Sequence, residues 1–357
     1  MKQRDKKKGQ PKAERLSAIK LPDLDVLDET REQAAFKALR SAHKQHDLYK
    51  EGTQLVRGRI AEIKSNYNYV VEVGGVYHRA SLSGRLKQFS YSSQALSAVG
   101  DVVELDISNF PDYRIENILP RKTTLSRYAG GSFQKEIILA ANIEQVIITS
   151  SWKMPLVKFG LIDRYLCITA LEGLKAVIVI NKVDLCEDGE ERDELAERVA
   201  YYEDAGYSVI LSSVVSGAGM SALKDTLQNK DSVFSGQSGT GKSSLINWLE
   251  PHLNLPTAEV SDYNEKGKHT TTQSILIPWS FGGHLLDTPG IKTVNLHRDA
   301  KPEISRIFPG FDRWAPNCKF RDCSHTHEAS CAVQEALEKD MLPVERYESY
   351  LRIRDSL

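Results

Sequence analysis

The stretch "VFSGQSGTGKSSLINWLE" (residues 233–250) contains a phosphate-binding loop. Gly236 is followed by four residues and then by Gly241, Lys242 and Ser243, which is the spacing of loops that hold phosphates with backbone N–H groups. An apolar strand before the loop and a helix from Lys242 onward are the flanks that such a loop requires. Phosphate loops usually open a nucleotide-binding domain, whereas this one lies about two thirds of the way along a chain of 357 residues.

Each residue type in the loop has a chemical reason. The glycines let the backbone approach the phosphates, and the N-terminus of the following helix adds its positive end. Lys242 is expected to reach the β- and γ-phosphates, and the Ser243 hydroxyl is expected to bind Mg²⁺. The predicted phosphate-binding residues are Gly236, Gln237, Ser238, Gly239, Thr240, Gly241, Lys242, Ser243 and Ser244.

The segment "VIVINKVDLC" indicates which base is bound. Asp184 can accept hydrogen bonds from the N1–H and 2-amino groups of guanine, whereas adenine would leave this carboxylate unpaired. Asn181 suits the N7/O6 edge of guanine, and the stem of Lys182 can pack along the base and the loop. The predicted base-binding residues are Asn181, Lys182, Val183 and Asp184, together with Ser212 and Ser213, whose backbone is expected to contact the guanine O6.

A third motif, "HLLDTPGIK", follows another apolar strand. Asp287 is expected to hold Mg²⁺ through water, and the Gly290 N–H is expected to sense the γ-phosphate. The polar segment "NEKGKHTTTQ" (residues 264–273) before it is predicted to be a mobile switch, with a solvent loop as the alternative. Thr270 or Thr271 is a candidate ligand of Mg²⁺ and the γ-phosphate.

The residue that orients the attacking water is not obvious from the sequence. Ile291 stands where many GTPases carry a glutamine, so hydrolysis by the isolated chain is expected to be slow. His269 in the switch is the candidate that replaces the glutamine, and a surface histidine without a role is the alternative. The predicted catalytic residues are Lys242, His269 and Thr271.

The order of these motifs explains the late position of the phosphate loop. Asn181 precedes Gly236, whereas ordinary GTPases place the phosphate loop first and the guanine-reading NKxD motif last. The same sheet can be built from a different starting point in the chain if its natural ends lie close together. The sequence therefore predicts a circularly permuted GTPase, in which the DxPG motif leads into the C-terminal unit.

A cysteine-rich segment, "CKFRDCSHTHEASC", follows. Cys318, Cys323, His325 and Cys331 match a closed, tetrahedral structural Zn²⁺ site, one per chain. His327 competes with His325 for the fourth position, and a chance cluster of reduced cysteines is the bland alternative. A helix, "SCAVQEALEKD", is predicted to start at the last ligand. The odd total of 5 cysteines argues against a disulfide framework, and Cys167 and Cys186 are interpreted as packing residues.

The rest of the chain indicates a multidomain α/β protein. Residues 1–51 are a basic and helix-prone extension, expected to be partly disordered or to touch RNA phosphates. Alternating short strands predict an OB-fold β-barrel over 52–118, a doubly wound GTPase domain follows over 119–300, and a helical zinc-binding domain occupies 301–357. The formal net charge is −1. No apolar run is long enough to span a membrane and no secretory signal is present, so we expect a cytoplasmic protein.

The combination of a small barrel, "NKVD" before "GQSGTGKSS", "GKHTTT", "DTPGIK" and the cysteine segment resembles the ribosome small-subunit-dependent GTPase A family (RsgA or YjeQ). A hydrophobic residue after DxPG, such as Ile291, conforms to that family. The resemblance implies an enzyme that hydrolyses GTP to GDP and phosphate late in maturation of the 30S ribosomal subunit, with hydrolysis stimulated by the subunit. It also implies contacts of the barrel and the zinc domain with 16S rRNA. We expect a monomer.

Three other functions are considered. The chain could be a GTP-gated RNA-binding module whose hydrolysis is incidental, which Ile291 would allow. It could also be a GTPase that acts on a protein partner unrelated to ribosomes. An ATPase is disfavoured by Asp184, because adenine offers this carboxylate no donors.

Overall fold

The computed structural model describes residues 54–64, 68–90, 97–109, 111–128, 136–255, 257, 274–287, 296 and 298–357. The predicted N-terminal extension and the predicted switch, including Lys268, His269, Thr270 and Thr271, lie outside these residues. Within the described ranges, no helix combines the length and the apolar character that crossing a membrane requires.

A five-stranded barrel forms the first part of the described chain. Its elements are β1 (Leu55–Lys64), β2 (Asn68–Val73), β3 (Val76–Leu82), α1 (Gly84–Ser90), β4 (Val102–Asp106) and β5 (Tyr113–Ile118). The strand order is β1-β2-β3-β5-β4, and a pairing between β1 and β4 closes the barrel. Alternation along the strands directs Ile60, Val71, Val103 and Leu105 into a core of the barrel's own. The predicted OB-like barrel is therefore confirmed.

A two-stranded antiparallel sheet follows the barrel and was not predicted. It consists of β6 (Thr124–Tyr128) and β7 (Glu136–Ala141), with Leu125 opposite Ala140. The sequence does carry a signal for it, because Gly130 and Gly131 separate two stretches of strand-forming residues.

The predicted GTPase domain contains a mostly parallel sheet with helices on both faces. The strands are β8 (Gln145–Ser151), β9 (Lys175–Asn181), β10 (Ser208–Leu211), β11 (Lys230–Ser235), β12 (Ile275–Pro278) and β13 (Gly283–Asp287). The strand order is β10-β9-β8-β11-β13-β12, and β12 alone runs antiparallel to its neighbour in this group. One hydrophobic cluster lies on each face, as the doubly wound fold requires. The helices are α2 (Phe159–Leu171), α3 (Gly189–Asp204), α4 (Met220–Leu227) and α5 (Lys242–Leu249).

The barrel and the GTPase sheet are hydrogen-bonded to each other. Glu62 of β1 pairs with Ile275 of β12, at a bulge in β1, so one sheet of 11 strands runs through both domains. Beside this pairing, the Arg59 guanidinium contacts the Asp231 carboxylate and donates to the Asn142 carbonyl at 3.1 Å. The barrel is therefore attached to β11 and β12 by both backbone and side-chain contacts.

The C-terminal unit consists of three short helices and connecting turns. Its helices are α6 (Lys301–Ile307), α7 (Ala332–Glu338) and α8 (Val344–Asp355). The buried rings of Phe308, Phe311 and Tyr350 belong to the same hydrophobic cluster as Leu166 on α2. A unit of this size has little core of its own, so it depends on packing against the GTPase domain.

A buried ion pair joins the two. The Arg346 guanidinium of α8 donates to both Asp163 carboxylate oxygens on α2, at 2.9 and 3.1 Å, and both side chains are almost fully buried. The hydroxyls of Tyr202 and Ser349 donate to the same carboxylate at 2.8 and 2.6 Å. Burial raises the pKa of Asp163, while the Arg346 charge and these hydroxyl donors oppose that rise. The Arg346 guanidinium carries a permanent charge, and its hydrogen bonds to both carboxylate oxygens favour the ionised form of Asp163.

Loss of Arg346 should be costly. Arg346→Met leaves the Asp163 charge buried without a counterion, so we expect a loss of about 3–5 kcal/mol in the free energy of unfolding. The matched control is Arg352→Met on the same helix. Arg352 forms an exposed pair with Glu348, and its loss should cost about 0.5 kcal/mol or less. Urea unfolding followed by tryptophan fluorescence measures both values, and equal effects would contradict the prediction.

Candidate nucleotide and metal sites

The carboxyl ends of the parallel strands bring the predicted nucleotide motifs to one edge of the sheet. Ser151 at the end of β8 lies opposite Asn181 at the end of β9, and Ser235 at the end of β11 lies opposite Ile148. Ligands of doubly wound domains bind at this edge. The NKVD segment and the phosphate loop are therefore neighbours, although the sequence separates them.

Two positions of the phosphate loop require glycine because the loop backbone lies very close to the neighbouring strands. Gly236 has φ 140°, and a Cβ there would lie 2.0 Å from the Thr149 carbonyl oxygen. Gly241 has φ 92°, and its Cβ would lie 2.3 Å from Nδ2 of Asn181. Side chains at these positions would both strain the backbone and collide with the neighbouring strand ends. The loop thus packs directly on β8 and β9.

Lys242 is the first residue of α5, as predicted. Its ammonium donates to the carbonyl oxygens of Gly236 and Gln237, at 2.8 and 2.7 Å, and these contacts hold the loop closed around it. Ser243 and Ser244 follow in the first turn and are partly buried, whereas Ser238 at the tip is exposed. The contacts of Lys242 with β- and γ-phosphates remain a prediction.

Asn181 links the base-reading segment to the phosphate loop. Its side-chain amide donates to the Thr240 carbonyl at 3.0 Å and accepts from the Ser212 hydroxyl at 3.3 Å. The side chain is buried, so these contacts are well shielded from water. Asn181 therefore positions the loop, in addition to any contact with a base.

Lys182 and Asp184 occupy the turn after β9. Lys182 has φ 61°, and this left-handed conformation ends the strand. Its ammonium donates to the Gly239 carbonyl at 2.8 Å, so its stem lies along the loop, as predicted. Val183 begins a short 3₁₀ turn, which leaves Asp184 exposed at the edge of the sheet.

The two serines predicted to contact the guanine O6 use their N–H groups elsewhere. The Ser212 N–H donates to the Ile180 carbonyl at 2.9 Å, and the Ser213 N–H donates to the Ala218 carbonyl at 3.0 Å. The Ser213 hydroxyl accepts from the N–H groups of Val215 and Ser216. Both serines therefore shape the loop beside the base-reading segment, and their own N–H groups are not available to a base in this structure.

A segment that was not predicted also borders the phosphate loop. Residues 152–157 follow β8, and Lys182 reaches the Met154 carbonyl. The Lys153 ammonium contacts the carboxylates of Glu187 at 3.2 Å and Glu191 at 2.6 Å, which ties this segment to the loop after NKVD and to the first turn of α3. The segment could have been found from its position after the carboxyl end of an apolar strand.

The remaining nucleotide motif is only partly described. Asp287 is the last residue of β13, so its backbone lies at the same edge of the sheet. Gly290, Ile291, His269 and Thr271 lie outside the described residues. Their roles stay predictions.

The four predicted metal ligands are close together. The ligand atoms of Cys318, Cys323, His325 and Cys331 all lie within 4.8 Å of one another. Nδ1 of His325 is 3.5 Å from the Cys318 sulfur and 3.3 Å from the Cys331 sulfur. This cluster can hold a metal ion. His327 is 80% exposed and does not belong to it, so the choice of His325 over His327 agrees with the structure.

The surroundings of the cluster favour a bound cation. Nε2 of His325 lies 3.0 Å from the Ser305 carbonyl, which makes Nε2 the donor and leaves Nδ1 to face the sulfurs. Burial raises the pKa of the Cys323 thiol to about 12, and a metal ion bound to this sulfur would lower that pKa by stabilising the thiolate. The Glu328 carboxylate accepts from the N–H groups of Ser324 and Thr326, at 2.8 and 3.1 Å, and folds the ligand loop. As predicted, a helix starts after the last ligand, with Cys331 at its N-cap.

Comparison with known protein sequences identifies a matching family and several named relatives. A profile of the RsgA GTPase family matches residues 118–297. The protein named small ribosomal subunit biogenesis GTPase RsgA from Gemmatimonas aurantiaca is 40% identical over 280 residues, which cover 78% of this chain and 90% of that protein. The protein of the same name from Flavobacterium psychrophilum is 34% identical over 299 residues, covering 83% and 91% of the two chains.

Two solved structures have the same architecture. The crystal structure of YjeQ from Thermotoga maritima has a TM-score of 0.70 and 30% identity, and the match covers 85% of this chain and 99% of that one. The structure of YloQ, described as a circularly permuted GTPase, has a TM-score of 0.67 and 25% identity, with coverages of 86% and 96%. With its motifs in permuted order on one sheet edge, the chain belongs to the RsgA GTPase family.

Proposed function

We propose that this GTPase binds the small (30S) ribosomal subunit late in its maturation and hydrolyses GTP to GDP and phosphate in response to the subunit. The observation that carries the guanine nucleotide site is the contact of Asn181 with Thr240, which brings the NKVD segment onto the phosphate loop. The relatives named as small-subunit biogenesis GTPases support the ribosomal partner. Such a partner, with 16S rRNA contacts by the barrel and C-terminal unit, implies a cytoplasmic location.

Each residue of the site would have its own role in binding or catalysis. Asp184 would accept hydrogen bonds from the N1–H and 2-amino groups of guanine, while the loop N–H groups and Lys242 would hold the phosphates. Water attacks the γ-phosphorus and the bond to the β-γ bridging oxygen breaks, so negative charge grows where Lys242 would lie. His269 is the proposed group that orients this water, and Thr271 would contact the γ-phosphate.

Two metals would serve different purposes. Ser243, in the first turn of α5, and Asp287, at the end of β13, are the oxygen donors that would hold Mg²⁺ with GTP, where the ion neutralises phosphate charge. The three sulfurs and one imidazole nitrogen of the cysteine cluster fit Zn²⁺, which prefers this tetrahedral donor set. Four protein ligands close that site, so we assign the zinc a structural role, one ion per chain.

GTP turnover with and without purified small subunits tests the proposed function. We expect slow turnover by the chain alone and an increase of at least about tenfold with subunits, because a partner would complete the catalytic site. Large subunits are the matched control. Turnover that small subunits leave unchanged, although the chain co-sediments with them, would instead favour a GTP-gated RNA-binding module.

Asp184→Asn tests the reading of the base. An amide cannot accept both guanine donors, so GTP affinity should fall by roughly 30- to 100-fold, while xanthosine triphosphate, which has an oxygen in place of the 2-amino group, should bind better than it does to the unchanged chain. Fluorescence titration with labelled nucleotides measures both. Asp188→Asn, at the exposed N-cap of α3, is the control. An unaltered preference for GTP in the Asp184 variant would refute this role.

Cys318→Ser tests the metal site. Loss of one sulfur ligand should remove the zinc and lower the midpoint of thermal unfolding, since structural zinc sites contribute folding free energy. Cys186→Ser, a cysteine outside the cluster, should keep one zinc per chain. Elemental analysis and circular dichroism provide the readouts, and a zinc content that is equal in both variants would exclude Cys318 as a ligand.

A further inference from the structure

A groove lies between helix α3 of the GTPase domain and the C-terminal unit, and none of its lining residues belongs to the two sites described above. The groove encloses a cavity of about 230 Å³. One wall comes from α3 and the other from the turns before and after the metal cluster. Its principal lining residues are Glu197, Tyr201, Asp204, Arg313, Trp314 and Met341.

Part of the groove surface is apolar. The Tyr201 hydroxyl donates to the Pro309 carbonyl at 2.7 Å, so the polar end of this side chain is already used, and the Arg346 guanidinium lies 5.3 Å from the centre of its ring. Met341 is 54% exposed at the groove, and Val344 nearby is 53% exposed. Thioether and aromatic surfaces of this kind adapt to apolar side chains. The cavity has room for one large aliphatic or aromatic side chain.

The rim is acidic on its α3 side. Helix α3 carries seven Asp or Glu residues against two Arg residues, a net charge of −5, and two of these acids, Glu197 and Asp204, line the groove. Within the described part of the chain, no cation lies within ion-pair distance of the Glu197 carboxylate. Arg313 is the cation of the groove, and it is engaged by Asp204, whose carbonyl accepts from it and whose carboxylate lies 3.9 Å from it. Two other arginines lie nearby: Arg198 is beside Glu194 and Glu345. Arg346 lies over the Tyr201 ring and is paired with Asp163.

The charge decides the kind of partner. RNA would bring phosphates toward Glu197, and the repulsion would oppose binding. A lysine or arginine beside Glu197, with an apolar side chain on Met341 and Trp314, would satisfy both properties of the groove. Complementary charge of this sort determines which partners are accepted and how fast they associate.

We propose that this groove, here named the α3 groove, binds a Lys/Arg-rich segment of a protein of the small ribosomal subunit, with one large apolar side chain seated in the cavity. This assignment rests on the proposed function. The α3 groove would give the chain a protein contact beside its RNA contacts. The segment would touch the GTPase domain and the C-terminal unit at once, because each contributes one wall.

Reversing the charge of Glu197 distinguishes a protein partner from an RNA partner, because the two partners would change subunit binding in opposite directions. Glu197→Lys should weaken binding to purified small subunits by about fivefold or more if the partner segment is basic, and should leave GTP turnover by the chain alone unchanged. Asp225→Lys is the matched control, because Asp225 is an exposed acid on α4, which packs on the opposite face of the sheet. Its effect on subunit binding should be less than about twofold. Tighter binding of the Glu197 variant would indicate RNA and overturn the proposal, as would unchanged binding.

Photo-cross-linking identifies the occupant directly. Met341→p-benzoylphenylalanine, in the full chain with small subunits and a non-hydrolysable GTP analogue, should yield a product with a Lys/Arg-rich peptide of a subunit protein. Val215→p-benzoylphenylalanine, which is exposed on the loop after β10, should not give that product. A product with rRNA, with residues 1–53 of the chain itself, or with nothing would overturn the proposal. Co-sedimentation in the same samples tests the proposed function separately.

Discussion

The hydrogen bond from the Asn181 side chain to the Thr240 carbonyl is the contact on which the nucleotide site depends. It joins the end of β9 to the phosphate loop after β11, and its donor is buried. In a chain of permuted order, nothing in the local sequence brings these segments together. Parallel strands do so, because their carboxyl ends meet at one edge. The glycines then allow the final approach, since Gly241 leaves no space for a side chain next to Asn181.

The C-terminal unit illustrates how a small unit gains stability from its neighbours. Its rings share one core with α2, its cysteine cluster can hold a metal ion, and Arg346 is buried against Asp163. None of these would suffice separately, because a unit of this size buries little apolar surface. The buried ion pair also opposes other placements of α8 on α2, since breaking it would leave an uncompensated buried charge.

Local pattern explains why much of the fold could be predicted. Apolar strands such as β9 and the amphipathic helices between them are encoded within a few residues, and so are the spacings of the phosphate loop and the cysteine cluster. The pairing of Glu62 with Ile275 could not be predicted, because more than 200 residues separate the two strands and nothing in either sequence marks the other as its partner. The contact between Asp163 and Arg346 was missed for the same reason. Contact of the Ser212 and Ser213 backbone with a base stays a prediction. The sequence alone did not show that their N–H groups donate to the carbonyls of Ile180 on the neighbouring strand and of Ala218 in the same loop.

The continuous sheet has a consequence for recognition of a large particle. Because β1 extends the GTPase sheet through β12 and Arg59 contacts residues of the GTPase domain beside this junction, the barrel is not joined to the GTPase domain by a flexible linker alone. Its outer surface and that of the C-terminal unit are held at a set spacing and angle. Once one of them touches a rigid body, the other is already aligned, so the second contact forms at a high effective concentration and without the entropy cost of arresting a hinge. A molecule of this kind would bind most tightly to a particle whose two contact surfaces match its own spacing.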